Sequence, residues 1–523
     1  MHRNAVVKLI GSIILFLNVI SLVSCANILL TEDLASPSHQ IWNYAIADAL
    51  VARGHNVTIL GPKTISTKNK KFHFIPLEGL IEATTGSGLF LPETLSHLSA
   101  VRNIQIYNEL SILTCNHTLH TEGLQELINY PADFKFDLII FDLTVSPCLL
   151  PLIERFNTPP AVAISAFLLP PFLSETFGNS FPVSYVPYIL LENSARMNFL
   201  ERIQNFIYSN IDFYWKTYFS FPVMEQMSRE VFGENMQSLD NLGKKAAFLL
   251  CNLSPGFHYS QPLTPNIIPV GGLHIDTEKK LPRDLQDIMD SAKNGVILFS
   301  LGTNVRSDKM SSEKRNNILK AFSKMNQTVL WKFESNITNY PKNVIIRKWT
   351  PQTEILAHPN LKLFITHGGG LSTIEAAFYG IPMVGIPFFV DQYSNMELVE
   401  TREIGVTLDY ETLTSESLVE AVNNVLTNPK YLKNARRISS LMRDQPQTSM
   451  ERALFWIEFA MRNNGTNIYD PQSRHISGFI SSSFDIYLFF LLILCIFLYS
   501  LSKVLSVLWI LVNNWKQKKV KMN

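Results

Sequence analysis

The run LKLFITHGGGLSTIEAAFYG, Leu361 to Gly380, constrains the fold more than any other part of the chain. Leu361 to Thr366 is an apolar, strand-like segment; His367 and Gly368 to Gly370 follow it, and then a helix-like run, Ser372 to Tyr379, closed by Gly380. A strand, a turn without side chains and a helix in immediate succession form the building block of a parallel α/β sheet. Backbone in such a turn approaches a ligand closely, and the free N–H groups and dipole of the first helical turn favour an anion. Glycine turns of this kind also occur with no ligand, so the neighbouring residues have to decide.

They point to a nucleotide sugar. His367 is placed to give a charge-assisted hydrogen bond to a diphosphate, and Ser372 adds a hydroxyl. Glu375, one turn into the helix, suits the vicinal hydroxyls of a ribose. Upstream, Trp349 offers a stacking face and Gln352 an amide that both donates and accepts, as a base edge requires. Thr350 and Pro351 read as the N-cap and first-turn proline of the helix that carries Gln352. Downstream of the strand-like IPMVGIP, Asp391 and Gln392 are positioned for sugar hydroxyls. A second small turn, Gly302-Thr303-Asn304, follows the buried-type strand Val296 to Ser300 and brings more N–H groups to a phosphate.

The N-terminal half repeats the α/β pattern. Asn27 to Thr31 reads as a strand, Glu32 to Gln40 as a loop, IWNYAIADALVARGH as a helix ended by Gly54, and Val57 to Leu60 as a second strand. The loop lies at the carboxyl edge of the sheet, where ligands bind, and carries His39. A lone loop histidine is most often solvated. Here FDLIIFDLTVSPC supplies a partner: the strand Leu138 to Phe141 ends in Asp142 at the same kind of edge, the arrangement of a His/Asp dyad, with a helix N-cap as the rival role for Asp142. Residues 166 to 222, rich in proline and aromatics, read either as irregular helices forming an acceptor pocket that touches the membrane face or as ordinary core and surface helices. Lys244 to Asn252 reads as the closing strand of the first domain and QPLTPNIIPVGGLHI as a boundary. The domains expected are 27–275 and 276–445, two Rossmann-like halves facing one another, followed by helices and a juxtamembrane segment, 446–484.

Both ends read as addresses. Residues 1–26 combine Arg3 and Lys8, the apolar run Leu9 to Val23 and the small residues Ser24-Cys25-Ala26, as in a secretory signal peptide. Residues 485–512 are apolar enough for a transmembrane helix, with Lys503 snorkelling toward the headgroups and Trp509 and Trp515 near the interface. Lys516, Lys518, Lys519 and Lys521 crowd the tail, 513–523, and the positive-inside rule makes it cytosolic and the remainder luminal, a single-pass type I arrangement. Lysines third and fifth from the end resemble the dilysine retrieval signal of the endoplasmic reticulum. In an oxidising lumen Cys115, Cys148 and Cys251 allow one disulfide at most. Sequons stand at Asn56, Asn116, Asn252, Asn326, Asn336 and Asn464. A length of 523 residues suits two domains plus accessory segments, and a net charge of +1 without a basic, aromatic-interleaved patch excludes nucleic acid as an expected partner.

With these residues in view, the sequence resembles the UDP-glycosyltransferases of family 1 and GT-B type, and within them the membrane-bound animal branch. SPSHQIW and GGGLSTIEA are similar to the insect enzymes in particular. The resemblance implies inverting transfer of a hexose, glucose by preference, from a UDP-sugar to the hydroxyl of a small lipophilic acceptor, in detoxification. By the same resemblance His39 is the catalytic base and Asp142 its partner. Trp349 and Gln352 hold uracil and Glu375 the ribose; His367, Gly369, Ser372 and the Gly302-Thr303 turn hold the diphosphate, and Asp391 and Gln392 the sugar. No Asp-x-Asp pair occurs, so no metal and no cofactor are expected. Leu371 replaces an asparagine common in the family, and Thr303 a serine. The alternative is an inactive homologue that binds lipophiles or regulates a partner subunit. Oligomeric state, homo- or hetero-oligomer, is left open.

Overall fold

The computed structural model describes residues 25–62, 72–85, 92, 98–466 and 468–521. The expected signal peptide lies outside these residues apart from Cys25 and Ala26.

Two parallel sheets organise the chain. The first contains β1 (Asn27–Thr31), β2 (Asn56–Gly61), β3 (Phe72–Pro76), β4 (Leu138–Asp142), β5 (Ala161–Ser165), β6 (Ala246–Cys251) and β7 (Ile267–Pro269), in the order β3-β2-β1-β4-β5-β6-β7. The second contains β8 (Val296–Ser300), β9 (Thr328–Lys332), β10 (Val344–Arg347), β11 (Leu361–Thr366), β12 (Met383–Gly385) and β13 (Gly405–Thr407), in the order β10-β9-β8-β11-β12-β13. The central strands LIIFD, AVAIS, AAFLLC and VILFS are buried along their whole length, which is why they read as continuous apolar runs instead of alternating ones. Alternation survives in where the side chains go. Leu29 packs into the core on one face of the first sheet, Ile28 and Leu30 into the core on the other. Phe299, Phe322 and Trp331 form an aromatic cluster under the second sheet, each burial contributing about 1.5–3 kcal/mol.

The helices that matter for the site are α1 (Pro37–Ala52), α2 (Ala100–Leu119), α3 (Phe199–Trp215), α4 (Phe221–Phe232), α5 (Gln352–Leu356), α6 (Gly370–Tyr379), α7 (Gln392–Thr401), α8 (Ser449–Arg462) and α9 (Phe484–Lys521). Helix α1 starts earlier than the loop expected around His39, because Pro37 at its first turn has its φ preset and no N–H to lose. Helix α6 likewise begins at Gly370, two residues before the periodic pattern, and ends on Gly380 in the left-handed conformation (φ 71°). The proline-spaced boundary contains a strand: β7 pairs with β6, so β6 does not close the sheet. Helix α5 is not capped by Thr350, whose buried hydroxyl has no partner; Pro351 stands at the N-cap instead. Residues 166 to 222 are more regular than the sequence suggested, since Asn198 and Glu201 form a capping box that starts α3, and a π-helical turn, Lys216–Ser220, joins it to α4.

After the second domain the chain returns to the first. Ala453, Leu454, Ile457 and Ala460 of α8 enter the same core as Ile28 and Trp42, Arg452 donates to the Pro269 carbonyl at 3.0 Å, and Arg53 pairs with Glu458 at 2.6 Å. Helix α9 is long and apolar enough to cross a bilayer, and none of its residues is buried. Cys115 and Cys148 form a disulfide, while Cys251 is buried and free. The sequon at Asn252 is closed off: its amide donates to the Ala166 carbonyl at 2.9 Å and accepts from the Gly272 N–H at 3.1 Å.

Candidate active site

In a parallel sheet ligands gather where the strand order reverses, beyond the carboxyl ends of the two strands that part there. The first sheet reverses between β1 and β4, the second between β8 and β11. His39 follows β1 and Asp142 ends β4; the Gly302 turn follows β8 and the His367 turn follows β11. These crossovers face each other across a cavity of about 770 Å³, and a Ser36–Asn304 hydrogen bond at 3.2 Å joins the two halves beside it. His39, Gly302, Thr303, Trp349, Gln352, His367, Gly369, Ser372, Glu375, Asp391 and Gln392 all line this cavity. Asp142 stands behind His39, outside the lining.

His39 sits in the first turn of α1, buried, its ring meeting Phe167 edge-on at 4.9 Å. Burial lowers its pKa, with the Asp142 charge opposing, so the ring is neutral at pH 7. The expected dyad hydrogen bond is not formed. Nδ1 of His39 has no partner, and the Asp142 carboxylate instead accepts from the Asn43 amide at 2.8 Å and the Thr144 N–H at 2.9 Å. The physical reason is the helix: starting at Pro37, α1 places Asn43 one turn beyond His39 on the same face, where its amide reaches the carboxylate first. No helix starts at Asp142, so its rival role as an N-cap is not realised either. Glu32 and Asp33, which the sequence reading passed over, are buried alongside; burial and the charge of Asp142 raise both, Asp33 to about 8.

On the opposite wall the glycines are explained by His367. A Cβ on Gly302 (φ 80°) would stand 2.4 Å from the imidazole Cε1, and one on Gly369 2.4 Å from Nε2. The ring is thus clasped between the two turns. Burial and, second, the Lys332 ammonium push its pKa down to about 3, so His367 is a neutral donor and not the charged group expected from sequence. The cation at this turn is Lys332, at the end of β9, bonded to the Gly302 carbonyl and to Glu334 at 3.1 Å, with its ammonium 5.7 Å from the ring centre of Trp349. Its position at the carboxyl end of a strand was the signal available in the sequence. Helix α6 has Gly369 as its N-cap, which offers no side chain, and points its N-terminal N–H groups toward the same turn, the first of them, on Gly370, meeting the Asp391 carboxylate.

Gln352 donates to Ser372 at 3.0 Å and to Glu375 at 2.7 Å, and Glu375 also bonds His274 at 2.8 Å. His274, in the stretch read as a domain boundary, therefore fixes the carboxylate from the side. Trp349 is 55% exposed, an open platform at the cavity rim. Asp391 is buried, accepts from Asn395 at 2.8 Å and is raised by burial to about 6. It follows Val390, whose φ of 54° is strained for a β-branched residue. The Gln392 oxygen accepts from the Phe388 and Phe389 N–H groups, at 2.8 and 3.3 Å. Leu371, in place of the family's asparagine, packs toward the core shared by the first domain and α8.

Comparison with known proteins agrees along nearly the whole length. The family model described as UDP-glucoronosyl and UDP-glucosyl transferase matches residues 33–519. The chain is similar to UDP-glucuronosyltransferase 2B7 of Homo sapiens, 32% identical over 90% of this chain and 91% of the relative. UDP-glucuronosyltransferase 2B33 of Macaca mulatta is 33% identical over 88% and 89%. Among solved structures, the spinosyn forosaminyltransferase SpnP superposes with a TM-score of 0.56 at 16% identity, covering 84% of this chain and all of that one. Os79 from O. sativa in complex with UDP does so at 0.53, again at 16% identity, covering 83% and 99%. At those identities the structures speak for the fold, which is GT-B. The chain belongs to the UDP-glucuronosyl and UDP-glucosyl transferase family and is a UDP-glycosyltransferase that takes a UDP-sugar as donor.

Proposed function

We propose that the protein transfers a hexose or hexuronic acid, with inversion, from its UDP-sugar to the hydroxyl of a small lipophilic acceptor. The observation that carries this reading is the convergence of the two sheet crossovers on one cavity, a buried neutral imidazole on one side and a glycine-clasped diphosphate cradle on the other. His39 takes the acceptor's hydroxyl proton as that oxygen attacks the anomeric carbon; the bond from that carbon to the diphosphate breaks on the opposite face, and UDP leaves. Lys332, His367 and the α6 N-terminus receive the charge that develops on the diphosphate, so the reaction proceeds without a metal. Trp349 and Gln352 take the uracil, Glu375 the ribose, and Asp391 and Gln392 the sugar. Loss of turnover in a chelator, restored by manganese, would refute the metal-free reading.

The names of the relatives support glucuronic acid over the glucose implied by the resemblance to the insect enzymes. One observation supports glucose as a second reading: of the Lys and Arg residues lining the cavity only Lys332 is buried, and it is engaged with Glu334, while Lys279, Arg306 and Lys309 are exposed and Asp391 is itself an acid. Full-length protein in vesicles, assayed for UDP release with UDP-glucuronic acid and UDP-glucose against a panel of phenols, decides between them. Release with neither donor would favour the noncatalytic homologue, which an intact base and donor cradle argue against. A luminal orientation in the endoplasmic reticulum is supported by α9 and its lysine-rich end, and is tested by glycosidase sensitivity and by escape on replacing Lys519 and Lys521.

A further inference from the structure

Behind His39 the first sheet ends on three acids. Glu32 and Asp33 continue the chain from β1, Asp142 closes β4, and the parallel register that sets Thr31 against Phe141 brings Glu32 alongside Asp142. All three are buried, Glu32 completely, and none of them lines the cavity. Asp142 has its donors in the Asn43 amide and the Thr144 N–H, at 2.8 and 2.9 Å. Asp33 interacts with the Ser146 hydroxyl and the Lys216 ammonium. Glu32 interacts instead with α1, through Asn43, and lies near Tyr44.

Two groups here lack what they need. No donor stands within hydrogen-bond distance of either Glu32 oxygen, and the buried Asn43 Oδ1 has no donor either. An ionised Glu32 would set a second charge beside Asp142 with neither water nor a donor to hold it, which burial strongly disfavours. Burial first, and the Asp142 charge second, raise its pKa well above the usual carboxylate range and leave it the neutral acid. A protonated carboxyl donates, whereas an ionised one only accepts. A proton on Glu32 is thus the donor that Asn43 Oδ1 is missing. Given it, the amide is fixed with its oxygen toward Glu32 and its nitrogen on Asp142; turned over, it would set its oxygen against the Asp142 carboxylate.

We propose that Glu32 is a positioning residue for the transfer reaction: its carboxyl O–H donates to Asn43, and Asn43 in turn holds the Asp142 carboxylate where it stabilises the imidazolium that forms at His39. With Thr144 on one oxygen and Asn43 on the other, the carboxylate cannot turn away as the ring gains its proton. Glu32 acts at the second remove, through the amide alone. The inference rests on the reading of His39 as the base that takes the acceptor's proton.

The test uses the full chain in phosphatidylcholine vesicles, assayed by UDP release with a phenol as acceptor. Glu32→Gln and Glu32→Met are both neutral and similar in shape, and only the glutamine can donate to Asn43. Glu32→Met is expected to lower kcat/KM for the phenol about tenfold, equivalent to roughly 1.4 kcal/mol, and Glu32→Gln to recover all but about threefold of it, with the KM for the UDP-sugar steady in both. Glu32→Met melts no lower than wild type, because an apolar side chain replaces a buried polar one. A packing role alone predicts that the two variants turn over alike, and that result overturns the proposal. In the Asn43→Ala background Glu32→Met is expected to add nothing, since the path through Asn43 is already cut; full additivity of the two losses overturns it as well. The infrared spectrum of chain labelled isotopically at its glutamate carboxyls gives a readout free of turnover and of the methionine variant's folding. A label-sensitive carbonyl stretch of a protonated acid at pH 7, diminished in Glu32→Gln, supports the proposal, and its absence from wild type or its full persistence in Glu32→Gln overturns it. No UDP release from the wild-type chain with any phenol refutes the transfer reading itself, whereas a failure of the Glu32 role shows only in how the variants compare with a working enzyme.

Discussion

Gly302 and His367 are complementary in shape: the imidazole occupies the space where any side chain at 302 would begin, its Cε1 2.4 Å from the position of a Cβ. Gly369 repeats the relationship from the other side of the ring. Gly302→Ala therefore both clashes and strains a backbone at φ 80°, the latter costing about 1–2 kcal/mol, whereas Gly369→Ala acts by contact alone because its φ of −62° is ordinary. Each is expected to raise the KM for the UDP-sugar about tenfold or more, roughly 1.4 kcal/mol upward. Adding His367→Ala restores UDP binding, measured by calorimetry, to the level of His367→Ala alone in the Gly369 background only.

Asn43, and not His39, holds the Asp142 carboxylate. His39→Ala is expected to lower kcat by about 10²–10⁴, the range of a lost general base. Asn43→Ala removes one hydrogen bond to a charged group, worth about 1.5–3 kcal/mol, and is expected to reduce kcat/KM for the acceptor by one to two orders of magnitude with donor binding intact. Wild-type turnover in Asn43→Ala would show that Asp142 needs no such support.

Buried ionisable groups set opposing limits on pH stability. Asp33 is raised from 3.8 to about 8, so between those values the folded protein holds a proton that the unfolded chain has lost; this contribution is full below pH 3.8 and disappears as pH rises through 8. His258 and His367 are lowered from 6.5 to about 3, so their contribution is full above 6.5 and lost as pH falls through 3. The melting temperature is expected to fall on both sides of a weakly acidic maximum. Asp33→Asn should raise it more at pH 8.5 than at pH 5, and equal shifts at the two pH values would contradict the assignment.

His274 bonds Glu375 from the linker between the domains. His274→Ala leaves the carboxylate with Gln352 alone, and the KM for the UDP-sugar is expected to rise severalfold, by about 1 kcal/mol in binding, at constant kcat. A fall in kcat without a change in KM would place His274 elsewhere in the reaction.

The parts of the site legible in the sequence were those written in local pattern. Leu361 to Gly380 announces a strand, a turn and a helix through apolar runs and glycine alone, and the structure departs from it only by starting α6 at Gly370. Likewise β1, β4 and β8 read correctly because strands buried on both faces leave unbroken apolar segments. What local pattern misses is any partner brought from far away. Lys332 stands 30 residues along the chain from the Gly302 carbonyl it binds, His274 stands 101 from Glu375, and Asn43 stands 99 from Asp142. Lys332 at least ends a strand at the sheet's carboxyl edge, but nothing in the neighbourhood of His274 or Asn43 signals its role.

The sequence by itself determined two α/β halves, a lipid-compatible final helix and eleven of the residues that line the cavity, because these follow from periodicity and residue chemistry within a few positions. Tertiary structure alone decided their protonation and pairing. Burial, a property of the assembled sheets, makes His367 neutral and raises Asp33; and the register of α1 against β4 gives the Asp142 carboxylate to Asn43 instead of His39. Charge state depends on the dielectric around a group and on its distance to other charges, and neither exists until the chain has folded.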